Sequence, residues 1–223
     1  MIMKKIGFLH TSPVHIATFD RLLEASLTDH ELVHLVDEPL LAQAMVTGID
    51  ADVQDQVDAH IQKLADAGCT QIVCTCSTIG GLVEEMSLEN VSISRIDRPM
   101  AAAAVENGHV VLVVVAIGST LIPTRELLLD ESRRQERPIL IQELVLDHAW
   151  PIFLAGDLDR YYQALADGIR AQVIGNEWCQ TKLPPEVVVI AQASMANAAD
   201  LLQDIGIPVL TSPQLCANSL LNF

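Results

Sequence analysis

Short apolar runs recur along the chain. Each closes on a turn rich in small hydroxyl or glycine residues, and each is followed by a stretch whose apolar residues return every three or four positions. Residues 4–9 read as a buried strand ending at His10-Thr11-Ser12-Pro13. Ser followed by Pro is a helix-start signal and predicts a helix to about Ala25, with a second strand at 31–36. Val53, Val57, Ile61 and Leu64 mark an amphipathic helix between Asp50 and Ala67, closed by Gly68. The β-branched pair Ile72-Val73 then leads into Cys74-Thr75-Cys76-Ser77-Thr78 and Gly80-Gly81. This is a strand, a tight turn and a helix start, with the helix over 82–86 and a further strand at 91–96.

The second half repeats this order. Residues 110–117 form a continuous apolar strand ending in Gly118-Ser119-Thr120, and a helix over 124–136 leads to a strand at 139–144. Leu158, Tyr162, Leu165, Ile169 and Val173 mark a helix between Gly156 and Gly175. A strand at 187–190 ends in Gln192-Ala193-Ser194-Met195 and is followed by a helix to Ile205. Ser12 and Ser77 lie 65 positions apart, Thr120 and Ser194 74, and the polar, Pro-rich loop 176–185 accounts for the difference. A strand at 207–210 and a helix starting at Ser212-Pro213 take the tail back to the first half.

Strands alternating with helices predict parallel sheets covered on both faces. The expected fold is therefore α/β: two similar doubly wound, flavodoxin-like domains related by a pseudo-two-fold, with the active site in the cleft between them. The expected division is 1–97 plus 208–223 for the half with Cys76, and 98–207 for the half with Ala193.

Charge narrows the partners. With 13 Lys and Arg against 29 Asp and Glu the net charge is −16, which disfavours nucleic acid and anionic membranes, both bound mainly through Lys and Arg. A local cradle of backbone N–H groups can still hold a small carboxylate, because distant charge is screened beyond about 8 Å at physiological salt. No apolar run approaches the ~20 residues that span a bilayer, and residues 1–5 show no signal-peptide pattern. Five scattered cysteines make neither a disulfide framework nor a paired zinc motif, so a cytoplasmic location is expected.

The candidate chemistry sits at the strand ends, where open α/β sheets bind ligands. Cys76, beside Ser77 and Thr78 at an expected helix start, gains thiolate character if the helix end stabilises negative charge. The competing reading is a buried structural cysteine beside an ordinary helix cap. Period-2 alternation places Cys74 on the same side as Cys76 but deeper, in a core role. His10 ends the first strand where a base is able to act, or else caps or covers the helix. His30 and His34 flank a strand and predict no shared metal, and Thr11-Ser12 and Ser119-Thr120 read equally as helix caps or as substrate contacts. Gly80-Gly81 is too short for a phosphate loop, and no dinucleotide or P-loop pattern occurs.

Thr11-Ser12, Cys76-Ser77-Thr78, Gly118-Ser119-Thr120, Ala193-Ser194 and the segment 95–100 followed by alanines resemble the aspartate/glutamate racemase superfamily over nearly the whole chain. The resemblance implies two α/β domains and proton transfer at the carbon next to a carboxylate, with neither metal nor pyridoxal cofactor. It implies a thiol from each half, one removing and the other delivering the proton. It assigns the first thiol to Cys76 and carboxylate binding to Thr11, Ser12, Ser77, Thr78, Ser119, Thr120 and Ser194. The second thiol is expected at position 193, where this chain has Ala193; Cys216 and His10 are the conceivable substitutes. Single-cysteine relatives such as the arylmalonate decarboxylases protonate one face of an enolate left by loss of carbon dioxide. The expected partner is a small carboxylic acid, in a racemase-like enzyme, a lyase of that type, or a binding protein that has lost the chemistry. A homodimer is left open as the assembly.

Overall fold

The computed structural model describes residues 4–23, 30–174 and 183–221. The chain divides into two compact units, Met1–Arg98 with Pro213–Phe223, and Pro99–Ser212.

In the first unit β1 (Lys4–His10), α1 (Val14–Leu23), β2 (His30–Val36), α2 (Glu38–Thr47), α3 (Ala51–Asp66), β3 (Cys69–Cys74), α4 (Gly80–Glu84) and β4 (Ser92–Arg95) follow in order. The strands form one all-parallel sheet, β2-β1-β3-β4. The chain runs outward from β1 to β2 and then returns to the other side at β3, so the direction of winding reverses between β1 and β3. Alternation along β1 divides the core. Leu9 joins Val53, Val57, Ile61 and Leu64 of α3 on one face, while Phe8 on the other meets Phe19 of α1 at a ring separation of 4.6 Å. Gly7 permits the close fit on the α3 face, because a Cβ there would lie 3.0 Å from Cys69 Sγ and 3.3 Å from Leu64 Cβ.

The second unit contains α5 (Arg98–Asn107, its first residue on the boundary), β5 (Val110–Val115), α6 (Leu121–Arg134), β6 (Leu140–Val145), α7 (Trp150–Leu154), α8 (Leu158–Ile174), β7 (Val187–Ile190) and β8 (Val209–Thr211). Its sheet, β6-β5-β7-β8, is also all parallel and in the same order of winding. The run Val-Val-Leu-Val-Val-Val of β5 is buried at every position, as a central parallel strand covered on both faces must be. Among the described residues no helix is long and apolar enough to cross a membrane.

Three expectations are corrected. The helix expected from Ser194 to Ile205 is a 3-10 segment, Ala193–Leu201; its buried residues Met195 and Ala198 stand three apart, the period of that tighter helix. The strand expected at 207–210 forms as β8 but pairs with β7, Val188 to Val209 and Ile190 to Thr211, at the edge that β7 leaves open. The return to the first unit therefore begins with the last helix, α9 (Ser212–Leu220), and the units divide at 98/99 and 212/213 rather than at 97 and 208. α2 and α7 were not expected, although Asp37-Glu38-Pro39 is a cap followed by proline. The expected helix end at Ala25 and most of the loop 176–185 lie outside the described residues.

Asp37 caps α2 by accepting from Leu40 N at 3.1 Å, and its other oxygen meets His60 Nε2 of α3 at 2.7 Å. Asp37→Ala is expected to destabilise the protein by about 1–2 kcal/mol, with Asp37→Asn recovering most of the loss. Urea unfolding at neutral pH measures both, and an Asn variant as weak as the Ala variant would show that the cap is not what matters.

Candidate active site

The winding reversal brings the ends of β1 and β3 together. Thr75 N donates to Leu9 O at 2.9 Å, carrying the ladder one residue beyond β3, and Ile96 N holds Cys74 O at 2.9 Å from the other side. The chain then turns at Cys76, which is 8% exposed. Its sulfur is met by the hydroxyls of Thr11 and Thr78 and by the N–H groups of Thr78 and Ile79. Cys74, wholly buried as expected for a core role, directs its thiol to Cys76 O at 3.7 Å.

This environment reverses the expected effect on the thiol. Burial pushes Cys76 up, and the donors from Thr11, Ile79 and Thr78 only oppose that push. The helix that follows, α4, is five residues long and has no side-chain cap at Ile79. It supplies no strong helix end, and at rest Cys76 is a protonated thiol surrounded by groups that suit its anion.

Arg95 supports the turn from below. It is 4% exposed and forks onto the fully buried Asp97, Nε to Oδ1 at 2.6 Å and the second nitrogen to Oδ2 at 3.0 Å. The same guanidinium reaches Ser77 O at 3.5 Å. Gly80 permits this approach, since a Cβ there would lie 3.1 Å from Arg95 Nε.

Neither proposed substitute for a second thiol is an open acid. Both ring nitrogens of His10 are engaged, Nδ1 with Thr75 Oγ1 and Nε2 with His34 Nδ1, each at 2.8 Å. Burial, with His15 and His34 beside it, lowers His10 to about 3, and burial alone lowers His15 to about 4. Cys216 of α9 is 2% exposed and burial pushes its thiol up to about 12.

The corresponding edge of the second unit is organised by an amide. Gln192 Oε1 accepts from Ala116 N at 2.5 Å and from Ile117 N at 3.1 Å, joining the ends of β5 and β7. Ala193 and Ser194 are half-buried there, and Ser194 Oγ lies 3.5 Å from Tyr161 OH, whose phenol burial pushes up. Ser119 is half-buried and Thr120 buried; the Thr120 side chain does not cap α6. The structure thus brings Thr11, Cys76 and Thr78 together around one sulfur, with Ser77 and half-buried Ser12 on the same two strand ends. It places Ser119, Thr120, Ala193 and Ser194 on the equivalent edge of the other unit. Thr75, Arg95, His34 and Gln192 carry roles that sequence reading missed. For Thr75, Arg95 and Gln192 the position at or just beyond a strand end was the available signal; His34, inside β2, offered none. Among the described residues no cluster of three or more His, Cys, Asp or Glu is arranged to hold a metal ion.

Two outcomes follow from these buried groups. Arg95→Met leaves the Asp97 carboxylate buried without its partner and is expected to cost about 3–5 kcal/mol in urea unfolding; a loss below about 1 kcal/mol would mean that the pair is solvated. The stability contributed by neutral His10 and His15 is complete above their ordinary value of 6.5 and falls with pH towards about 4 and about 3, because the unfolded chain takes up the protons first. Unfolding midpoints should therefore drop from about pH 6.5 downward, with a slope of roughly 1.4 kcal/mol per pH unit for each ring, and His15→Asn should flatten the curve.

No family model matches the sequence, and no curated protein sequence matches it. Solved structures do. The chain is similar to the aspartate racemase of Picrophilus torridus at 14% identity and a TM-score of 0.72, covering 98% of this chain and 93% of that one. It is similar to the glutamate racemase of Francisella tularensis at 11% identity and TM-score 0.69, covering 100% and 81%. It is also similar to the allantoin racemase of Klebsiella pneumoniae at 16% and 0.65, covering 97% and 86%. At these identities the likeness establishes the architecture, and this chain has the two-unit α/β fold of the aspartate, glutamate and allantoin racemases.

Proposed function

We propose that this protein is a cofactor-independent enzyme that transfers a proton at the carbon next to the carboxylate of a small amino acid or related acid, with Cys76 as the acid and base. The observation that carries this reading is the ring of donors on the Cys76 sulfur at the β1/β3 reversal. Donors that oppose the desolvation of a thiolate make proton loss from a buried thiol less costly, and the same groups suit a substrate carboxylate. Thr11, Ser12, Ser77 and Thr78 are the proposed carboxylate contacts at this edge, and Ser119, Thr120 and Ser194 are proposed for the same role.

A second reading has its own support. A thiol protonated at rest, in a chain with Ala193 where a second thiol is expected, suits delivery of one proton. A malonic acid that loses carbon dioxide leaves an enolate whose carbon takes the Cys76 proton, and solvent then restores the thiol.

Incubation in heavy water with amino, hydroxy and malonic acids separates these readings. The enzyme is expected to place deuterium on the α-carbon with retained configuration, and Cys76→Ala to abolish it. Thr78→Ala should weaken binding by roughly tenfold or more, because a charge-assisted hydrogen bond contributes about 1.5–3 kcal/mol. Alanine variants at Ser119, Thr120 and Ser194 are tested in the same assay, and Ala193→Cys should add inversion. Release of carbon dioxide without exchange would favour the lyase. Binding with neither would leave a non-catalytic binder, and efficient racemisation by the native chain would defeat the single-thiol scheme.

A further inference from the structure

A chain of polar groups runs through the face of the first sheet that α1 covers. His34 on β2 is the register partner of Phe8 on β1, and Phe8 and His10 share a face. The rings lie close to parallel, Phe8 on His34 at 5.2 Å and His10 on His34 at 5.1 Å. α1 lays Phe19 and His15 against His10, at ring separations of 6.2 and 6.1 Å. Within this apolar layer Asp20 Oδ1 meets His34 Nε2 at 3.1 Å, His34 Nδ1 meets His10 Nε2 at 2.8 Å, and His10 Nδ1 meets Thr75 Oγ1 at 2.8 Å. Thr75 Oγ1 also reaches Leu9 O at 3.2 Å.

Both ends of this chain, the Asp20 carboxylate and the Leu9 carbonyl, are acceptors. Filling all of its contacts needs a proton in each, but Thr75 brings one and two neutral rings bring one apiece, so one contact must go without. With neutral rings, His34 Nε2–H donates to Asp20, His10 Nε2–H donates to His34, and Thr75 donates to His10. The alternative order, with a lone pair of His34 facing Asp20, sets two acceptors against each other. Leu9 O is the group left out, and it keeps its bond from Thr75 N. One added proton changes the order from end to end. His34 then donates from both nitrogens, His10 donates from Nδ1, and the Thr75 hydroxyl turns to Leu9 O.

We infer that Asp20, His34, His10 and Thr75 form a one-proton relay that positions the Cys76 turn: protonation of His34 beside Asp20 reverses the tautomer of His10 and moves the Thr75 hydroxyl hydrogen from His10 to Leu9. The charge stays at the outer end, where Asp20 is 39% exposed, and His10 remains neutral throughout. Burial and the neighbouring His15 and His34 hold His10 in that neutral form. The titratable groups facing His10 are His15 from α1 and His34 from β2, with the hydroxyl of Thr75 from the end of β3, and Asp20 from α1 faces His34. Thr75 adjoins Cys76, so His10 and His34 are positioning residues for the proposed chemistry. The link to catalysis rests on the Cys76 reading, whereas the relay itself does not.

Imidazole nitrogen NMR of the full-length protein tests it. At neutral pH both His10 and His34 are expected as Nε2–H tautomers. On acidification His34 should gain a proton while His10 stays neutral and changes to Nδ1–H, and the amide signals of Thr75 and Cys76 should move with the same midpoint. Asp20→Ala should move that midpoint for all of these signals together, because the Nε2 proton of His34 loses its acceptor. His34→Asn should abolish the tautomer change and, in the heavy-water assay, alter the pH profile of kcat while leaving KM in place. If His34→Asn does not fold, Asp20→Ala carries the test. A His10 ring that is Nδ1–H at neutral pH, or that keeps its tautomer while His34 titrates, overturns the relay. Absence of exchange in the native protein would defeat the functional reading and leave the NMR result to stand or fall alone.

Discussion

Beside the end of β1, the chain turns after β3 with residues 74–80 all buried, and each polar group taken inside must find a partner there. The sequence places a thiol, three threonine hydroxyls, an imidazole and a guanidinium within this small volume, and the turn is shaped by how they satisfy one another. Arg95 neutralises Asp97 and steadies the Ser77 carbonyl; Thr75 spans Leu9 and His10; Thr11 and Thr78 attend the Cys76 sulfur. Removing one of these leaves its neighbour buried and unpaired, which costs more than the lost bond alone. The turn is thus held by bonds from several directions at once.

The two units share an order of winding but settle the same strand ends differently. In the first unit the reversal holds titratable groups, Cys76 and His10, whose charged forms burial disfavours. In the second, Gln192 bridges the amides of Ala116 and Ile117, and position 193 contributes only a methyl group. Two copies of one topology thus carry unequal groups, titratable side chains at one edge and a bridging amide at the other.

Much of the fold was legible because burial leaves a direct mark on composition. The all-apolar β5 and the spacing of Val53, Val57, Ile61 and Leu64 translate into elements without ambiguity. That Cys76, Thr11 and Thr78 would meet was readable because short hydroxyl-rich turns follow the strands that carry them. The state of the thiol was not readable, since it depends on the balance between desolvation and four donors, and that balance is set by packing. His34 was hidden for a different reason: its partner is fixed by strand register, which no local pattern encodes. β8 went to the second sheet because an open edge lay beside it, a fact of topology rather than of residues 207–210.

The chain crosses from one unit to the other at Arg98-Pro99 and back at Ser212-Pro213, each time into a proline that restricts the residue before it. The second unit is one unbroken segment, whereas the first lacks α9, with its buried Cys216, Ala217 and Leu220, until residues beyond the second unit have been added. During synthesis, where domains generally fold as their segments emerge, the unit encoded second is therefore the first that can close. The half bearing Cys76 must wait, with part of its interior open, for a helix supplied from the far side of its neighbour in the sequence.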